Sequence, residues 1–157
     1  SFAHHFGLSY EETFIQLTSS NSYEYPTSSG KDYKKTIMGK WSDHYNSWKN
    51  YESCKILIIK YEDMVLNEHE TFKKIINYLG EVNNTEFNEE KFKKALKQSQ
   101  FNELQNLEKI EGFTEKGKGG IFFRNGKIGA WKNGISVDLI NKIEKVFYKE
   151  MKELGYL

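Results

Sequence analysis

The run Ile121 to Asn133, I-F-F-R-N-G-K-I-G-A-W-K-N, holds Arg124, the one arginine in a chain whose other basic residues are all lysine. A guanidinium is a rigid planar fork of donors that matches phosphate oxygens, which a lysine ammonium is not. Gly126 and Gly129 beside it allow backbone N–H groups to approach an anion closely. Between Gly112 and Gly134 the cations Lys116, Lys118, Arg124, Lys127 and Lys132 face a single carboxylate, Glu115. The segment therefore suits a phosphate-bearing ligand, although its composition alone equally describes a solvated basic loop. Gly112 to Lys118 also has the G-x-x-x-x-G-K spacing of a P-loop. That match fails in context: Gly119 stands where Ser or Thr must bind Mg²⁺, and no hydrophobic strand leads in.

Other chemistry is harder to find. His4 and His5 are adjacent, so on a helix they point about 100° apart, and neither has a ligand partner one turn on. His44 and His69 are isolated in sequence. No metal site is expected, and no nucleophile–base pair can be read. Glu62-Asp63 follows an apolar run, a place where α/β folds put functional carboxylates, but capping of the next segment explains the pair equally well.

Length and composition set the frame. The chain has 157 residues, enough for one domain with a core, and its 15% aromatic content argues against disorder. A net charge of +1 gives no global field to attract nucleic acid or a membrane, so any anion site must be local. A lone cysteine, Cys54, excludes an internal disulfide, fits a reducing, cytoplasmic compartment, and reads as a buried thiol. No apolar stretch approaches transmembrane length, and no signal peptide is visible.

The elements that must position the basic segment are mostly helices. Ser9-x-x-Glu12 has the spacing of a capping box, which predicts a helix to about Thr18. Ser, Asn, Thr and Gly around Pro26, the only proline, predict a loop over 18–30. Ile37, Trp41, Tyr45 and Trp48 recur at helical spacing within about 32–51. Asn67-x-x-Glu70 predicts another helix start, with Phe72, Ile75, Ile76 and Leu79 on one face and Gly80 as its end. Further helices are predicted over about 88–98 and from Ser136 onward, the last with Leu139, Ile140, Ile143, Val146, Phe147 and Met151 inward. One segment differs. Ile56 to Ile59 is a continuous apolar run that predicts a strand over about 55–61, buried on both faces as in a parallel sheet. Such a strand needs neighbours, and no second strand of that quality is present. Either it pairs with another copy of the chain or the rest of the sheet lies in sequence outside these residues.

Several blocks, taken in order, resemble the cytosolic-type sulfotransferases. Trp41 to Trp48 is similar to that family's W-x-x-H-x-x-x-W helix, and Ile56 to Met64, I-L-I-I-K-Y-E-D-M, to its strand ending in Y-E-D-M. Gln98-Ser99-Gln100-Phe101 resembles its T-S-F segment. Ile121 to Asn133 resembles its F-x-R-K-G-x-x-G-D-W-K-N signature, and Ser1-Phe2-Ala3-His4 its S-Y-Y-H helix start. The resemblance implies an α/β, P-loop-like fold, a three-layer α/β/α arrangement around a parallel sheet. The chain, taken as a single domain over 1–157, would be its helix-rich C-terminal portion. It also implies transfer of a sulfuryl group from 3′-phosphoadenosine 5′-phosphosulfate (PAPS) to a hydroxyl or amine of a small-molecule acceptor.

Carried over residue by residue, the resemblance implies that Arg124 binds the 3′-phosphate, with the backbone N–H groups of Asn125 and Gly126 and the hydroxyl of Ser1 beside it. Phe101 would stack on adenine, helped by Tyr61 and Ser99. Phe2 and His5 would border the acceptor pocket. The sequence departs from the pattern at Asn125, where the family has Lys, at Ala130, where it has Asp, and at Ser99, where it has Thr. Lys132 to Val137 partly resembles the family's dimerisation segment, with Asn141 in place of its Glu. The family's phosphosulfate loop and its catalytic histidine match nothing in this chain. No catalytic residue is therefore expected here, and the chain alone should be inactive. Association between copies would use the apolar strand or the C-terminal segment. The alternative is a non-catalytic helical module that binds an anion, a nucleotide or a protein partner through the 112–134 loop. Nucleic-acid binding is not expected at this net charge.

Overall fold

The computed structural model describes residues 2–24, 36–114 and 120–157. Along the chain run α1 (Phe2–Phe6), α2 (Tyr10–Thr18), β1 (Tyr23–Glu24), β2 (Thr36–Ile37), α3 (Trp41–Lys49), α4 (Tyr61–Leu66) and α5 (Glu68–Asn83). Then come α6 (Glu89–Gln98), α7 (Phe101–Glu111), a turn of 3₁₀-helix (Ala130–Asn133), α8 (Val137–Val146) and α9 (Tyr148–Glu153). These residues form two compact units, one of Ser1–Ile56 with Trp131–Leu157, the other of Leu57–Ala130.

In the first unit the predicted capping box is present. The Glu12 amide donates to Ser9 Oγ at 3.1 Å, and the Ser9 amide donates to Glu12 Oε2 at 2.8 Å. Two donors at the start of α2, orphaned by helix geometry, are thereby satisfied. Ser136 caps α8 with a single bond, accepting from the Leu139 amide at 3.3 Å. The helix predicted over 32–51 is shorter at its start: residues 31–35 lie outside the described set, Thr36–Ile37 pairs with Tyr23–Glu24 in a short antiparallel ribbon, and α3 begins at Trp41. Within α3, Trp41 meets the Phe147 ring edge-on at 5.2 Å, and Asn46 Nδ2 donates to Glu150 Oε1 at 3.0 Å. Leu139, Phe147 and Glu150 are buried there. Val146, predicted inward, is 50% exposed, because the chain turns at Phe147 (φ −107°, ψ 20°) between α8 and α9. Cys54 is exposed, contrary to the buried thiol expected of it.

In the second unit Asn88 caps α6, accepting from the Lys91 amide at 2.9 Å. Phe92 is 6% exposed, packed against Phe87 (5.4 Å) and His69 (5.2 Å). Asn67 begins α5 without a side-chain cap bond; Thr71 Oγ1 instead donates to the Asp63 carbonyl at 2.9 Å, fastening α5 to α4. Helix α5 also runs past Gly80 to Asn83, and Asn84 (φ 53°) takes the left-handed cap conformation. Gly80 still belongs to that ending. A β-carbon there would lie 2.7 Å from the Thr85 carbonyl oxygen, where the chain folds back to donate to the Gly80 carbonyl.

The strand predicted over 55–61 is not formed. Residues 55–60 have no regular structure, Tyr61 already begins α4, and Ile58 is 45% exposed. The apolar run reads as a buried strand, but a strand exists only as one side of a ladder. Among the described residues the only sheet is the β1–β2 ribbon, so no parallel sheet accompanies this segment. Helix α7 is the converse case, an eleven-residue element that the sequence reading did not predict.

Candidate functional site

Helix α7 builds the site in the second unit. Phe101, Gln105 and Glu108 stand at i, i+4 and i+7, so they share one face. The helix ends where Gly112 (φ 76°) donates to the Glu108 carbonyl at 2.9 Å. The basic segment then returns along that face. The Phe122 amide donates to Glu108 Oε1 at 2.7 Å and the Phe123 amide to Glu108 Oε2 at 2.9 Å. Gln105 Nε2 donates to the Phe123 carbonyl at 2.9 Å. Three backbone groups of two consecutive residues are thus held by two side chains of one helix. Phe113 packs against Phe122 at 4.6 Å and Phe123 at 5.3 Å, closing the apolar side.

This docking delivers the three residues that follow. The Arg124 amide donates to the Phe122 carbonyl at 2.9 Å, a tight turn. The Arg124 side chain is exposed, and among the described residues it makes no hydrogen bond or ion pair. Asn125 is exposed beside it. Gly126 (φ 61°) lies directly on Phe101: a β-carbon at Gly126 would be 2.6 Å from Phe101 Cδ2 and 2.8 Å from Cγ. Phe123 meets the same ring at 6.3 Å, nearly edge-on. Phe101 and a left-handed glycine two positions after Arg124 are therefore in contact, although 24 positions separate Phe101 from Gly126 in sequence. Arg124, Glu108 and Lys109 also line a cleft of about 280 Å³ whose apolar wall includes Phe113 and Ile121.

The other residues singled out from sequence lie as follows. Ser99 closes α6, its hydroxyl donating to the Leu96 carbonyl at 3.2 Å, two residues before Phe101. Tyr61 opens α4 with its side chain 46% exposed, and no ring contact joins it to Phe101 among the described residues. Phe2 and His5 are on α1 in the first unit, where Phe2 and His5 both pack on Phe6, at 4.5 and 4.8 Å. Ser1 lies outside the described residues, as do Lys116 and Lys118 of the basic loop. Gln105 and Glu108 were not found from sequence. Their signal is a polar pair one and two turns after Phe101, visible only once 101–111 is read as a helix.

The exposed Arg124 side chain, with no hydrogen bond or ion pair among the described residues, thus stands two positions before a glycine packed on an aromatic ring. The family model for the sulfotransferase domain matches residues 1–155. The chain is 27% identical over 123 residues to 3-alpha-hydroxysteroid sulfotransferase of Cavia porcellus, covering 73% of this chain and 40% of that protein. It is 31% identical over 125 residues to Sulfotransferase 2A6 of Rattus norvegicus, covering 72% and 40%. It is 28% identical over 133 residues to Cytosolic sulfotransferase 16 of Arabidopsis thaliana, covering 78% and 39%. The chain belongs to the sulfotransferase domain family. The aligned part makes up about 40% of the length of the curated relatives it matches. Among the described residues no helix is long and apolar enough to cross a membrane.

Proposed function

We propose that this chain is the C-terminal part of a PAPS-dependent sulfotransferase and supplies the 3′-phosphate and adenine side of the donor site. The observation that carries the reading is the meeting of Phe101 with Gly126, two residues after Arg124, whose side chain has no hydrogen bond or ion pair among the described residues. Arg124 binds the 3′-phosphate. The amides of Asn125 and Gly126 add donors to it, and the open face of Phe101 stacks on adenine. Lys127 offsets the charge absent at Asn125. By family resemblance alone, Ser1, Tyr61 and Ser99 are assigned to this side of the donor site, and Phe2 and His5 to the acceptor pocket.

In the whole protein the acceptor oxygen or nitrogen forms a bond to sulfur while the bond from sulfur to the bridging phosphate oxygen breaks. The acceptor's proton passes to a base, and 3′-phosphoadenosine 5′-phosphate leaves. Only groups that meet the charge developing on the sulfuryl and the leaving phosphate accelerate that step. The residues named here bind and orient the donor through its remote end. No residue of this chain is assigned to the chemical step, and the chain by itself is inactive. The whole domain has the P-loop-like α/β architecture, acts in the cytoplasm on a small hydroxyl or amine compound, and uses no metal.

Calorimetric titration with 3′-phosphoadenosine 5′-phosphate, on the wild type and on Arg124→Ala, tests the reading. Loss of a charge-assisted bidentate contact weakens binding by about tenfold or more. Equal affinities for the two proteins would remove Arg124 from the donor site.

A further inference from the structure

We infer that Glu108 is a positioning residue for Arg124, holding the phosphate-binding turn in place through its backbone without touching the ligand. The inference rests on the donor-site reading and deepens it. Both carboxylate oxygens are engaged, one by the Phe122 amide at 2.7 Å and the other by the Phe123 amide at 2.9 Å. Gln105, one turn earlier on α7, fixes the carbonyl of Phe123 at 2.9 Å. The next residue is Arg124, and the one that opens the same helix is Phe101. One rigid helix thus sets both the ring and the segment that carries the guanidinium.

The arrangement also answers an electrostatic question. Glu108 and Arg124 line one cleft, and a carboxylate and a guanidinium within reach of each other ordinarily pair. Here the carboxylate is occupied by two amide donors, and the guanidinium has no ion pair among the described residues. Glu108 therefore organises the turn while leaving Arg124 available to an anion.

Two accounts of Glu108 make opposite predictions. If it were only a nearby negative charge, its removal would relieve repulsion of a phosphate and tighten binding. If it positions Arg124, its removal loosens the turn and weakens binding. The full-length protein is titrated with 3′-phosphoadenosine 5′-phosphate and with adenosine 5′-phosphate, which lacks the 3′-phosphate. Glu108→Ala is expected to weaken the first by about tenfold, the scale of losing bonds to a charged acceptor, and the second by no more than about twofold. The double variant with Arg124→Ala should bind no more weakly than Arg124→Ala alone, since both act through one group. Amide exchange at Phe122 and Phe123 should accelerate in Glu108→Ala. Should that variant fail to fold, Glu108→Gln keeps the size and one acceptor oxygen and should lose part of the 3′-phosphate preference. Unchanged or tighter binding of the 3′-phosphorylated ligand in the Glu108 variants, with Arg124→Ala still impaired, would overturn the inference alone. Indifference of that ligand to Arg124→Ala would overturn the donor-site reading beneath it.

Discussion

Gly126 and Phe101 are in direct contact: the space that a β-carbon at Gly126 would need is taken by the Phe101 ring, with 2.6 Å to Cδ2. Gly126 also has φ 61°, which L side chains adopt at a cost. Gly126→Ala is therefore expected to destabilise the second unit by about 1–3 kcal/mol, through overpacking and backbone strain together. It should also move the Phe101 ring and weaken binding of 3′-phosphoadenosine 5′-phosphate. Urea denaturation and titration of the same variant check both effects. A tight-binding, fully stable Gly126→Ala would show that the contact is not required.

Phe92 anchors the other end of that unit. It is 6% exposed and contacts the rings of Phe87 and His69. Phe92→Ala removes a buried ring and leaves a cavity, at a cost of about 3–5 kcal/mol. A fall in the denaturation midpoint of that size is expected, whereas Phe122→Ala, at 43% exposure, should cost less.

Asn46 gives a polar counterpart in the first unit. Its amide donates to Glu150, a residue only 8% exposed. Asn46→Ala removes that donor from a buried carboxylate, and about 1–3 kcal/mol should be lost. Replacement of both residues by apolar ones of similar size should cost less than Asn46→Ala, which a double-mutant cycle measures.

The start of α2 should respond to acid. Glu12 is held below its ordinary value of 4.5, first by the Ser9 backbone amide and then by the Ser9 hydroxyl. A carboxyl with a lowered folded-state value stabilises the fold above its unfolded value and loses that contribution as pH falls through the folded one. Fraying of α2 is therefore expected only below about pH 4.5, and Ser9→Ala, which removes the hydroxyl but keeps the backbone amide, should reduce the dependence without abolishing it. Nuclear magnetic resonance of the Glu12 carboxyl and the Thr13 amide between pH 2 and 6, roughly the carboxylate range, follows both.

The pair formed by Lys49 and Glu153 behaves similarly at the surface. The Lys49 hydrogen bond lowers Glu153, Glu153 in turn raises Lys49, and the Tyr45 hydroxyl donates to Glu153 at 3.1 Å. The Glu153 contribution is lost below its ordinary value of 4.5, and the Lys49 contribution as pH rises through its raised value, above the ordinary 10.5. Glu153→Gln should return Lys49 to its ordinary range with little change in stability, because exposed pairs are weak. Titration of the Lys49 side chain reads this directly.

Some of this protein could be read from residues that lie near one another in the chain. The caps at Ser9, Asn88 and Ser136 each link residues three apart, so the local sequence contains both partners. Arg124 stood out by residue type, and Phe101 by its place in a short family segment. In the folded chain Phe101 meets Gly126, two positions after Arg124. Three other features depended on distant partners. Residues 55–61 have the composition of a strand, but without a ladder neighbour among the described residues they form none. Cys54 stands beside that apolar run yet is exposed. Glu108 and Gln105 reach Phe122 and Phe123 across 14 to 18 residues. Helix caps follow from local geometry. A sheet edge and a loop clamp follow from which segments meet, and only the folded chain decides that.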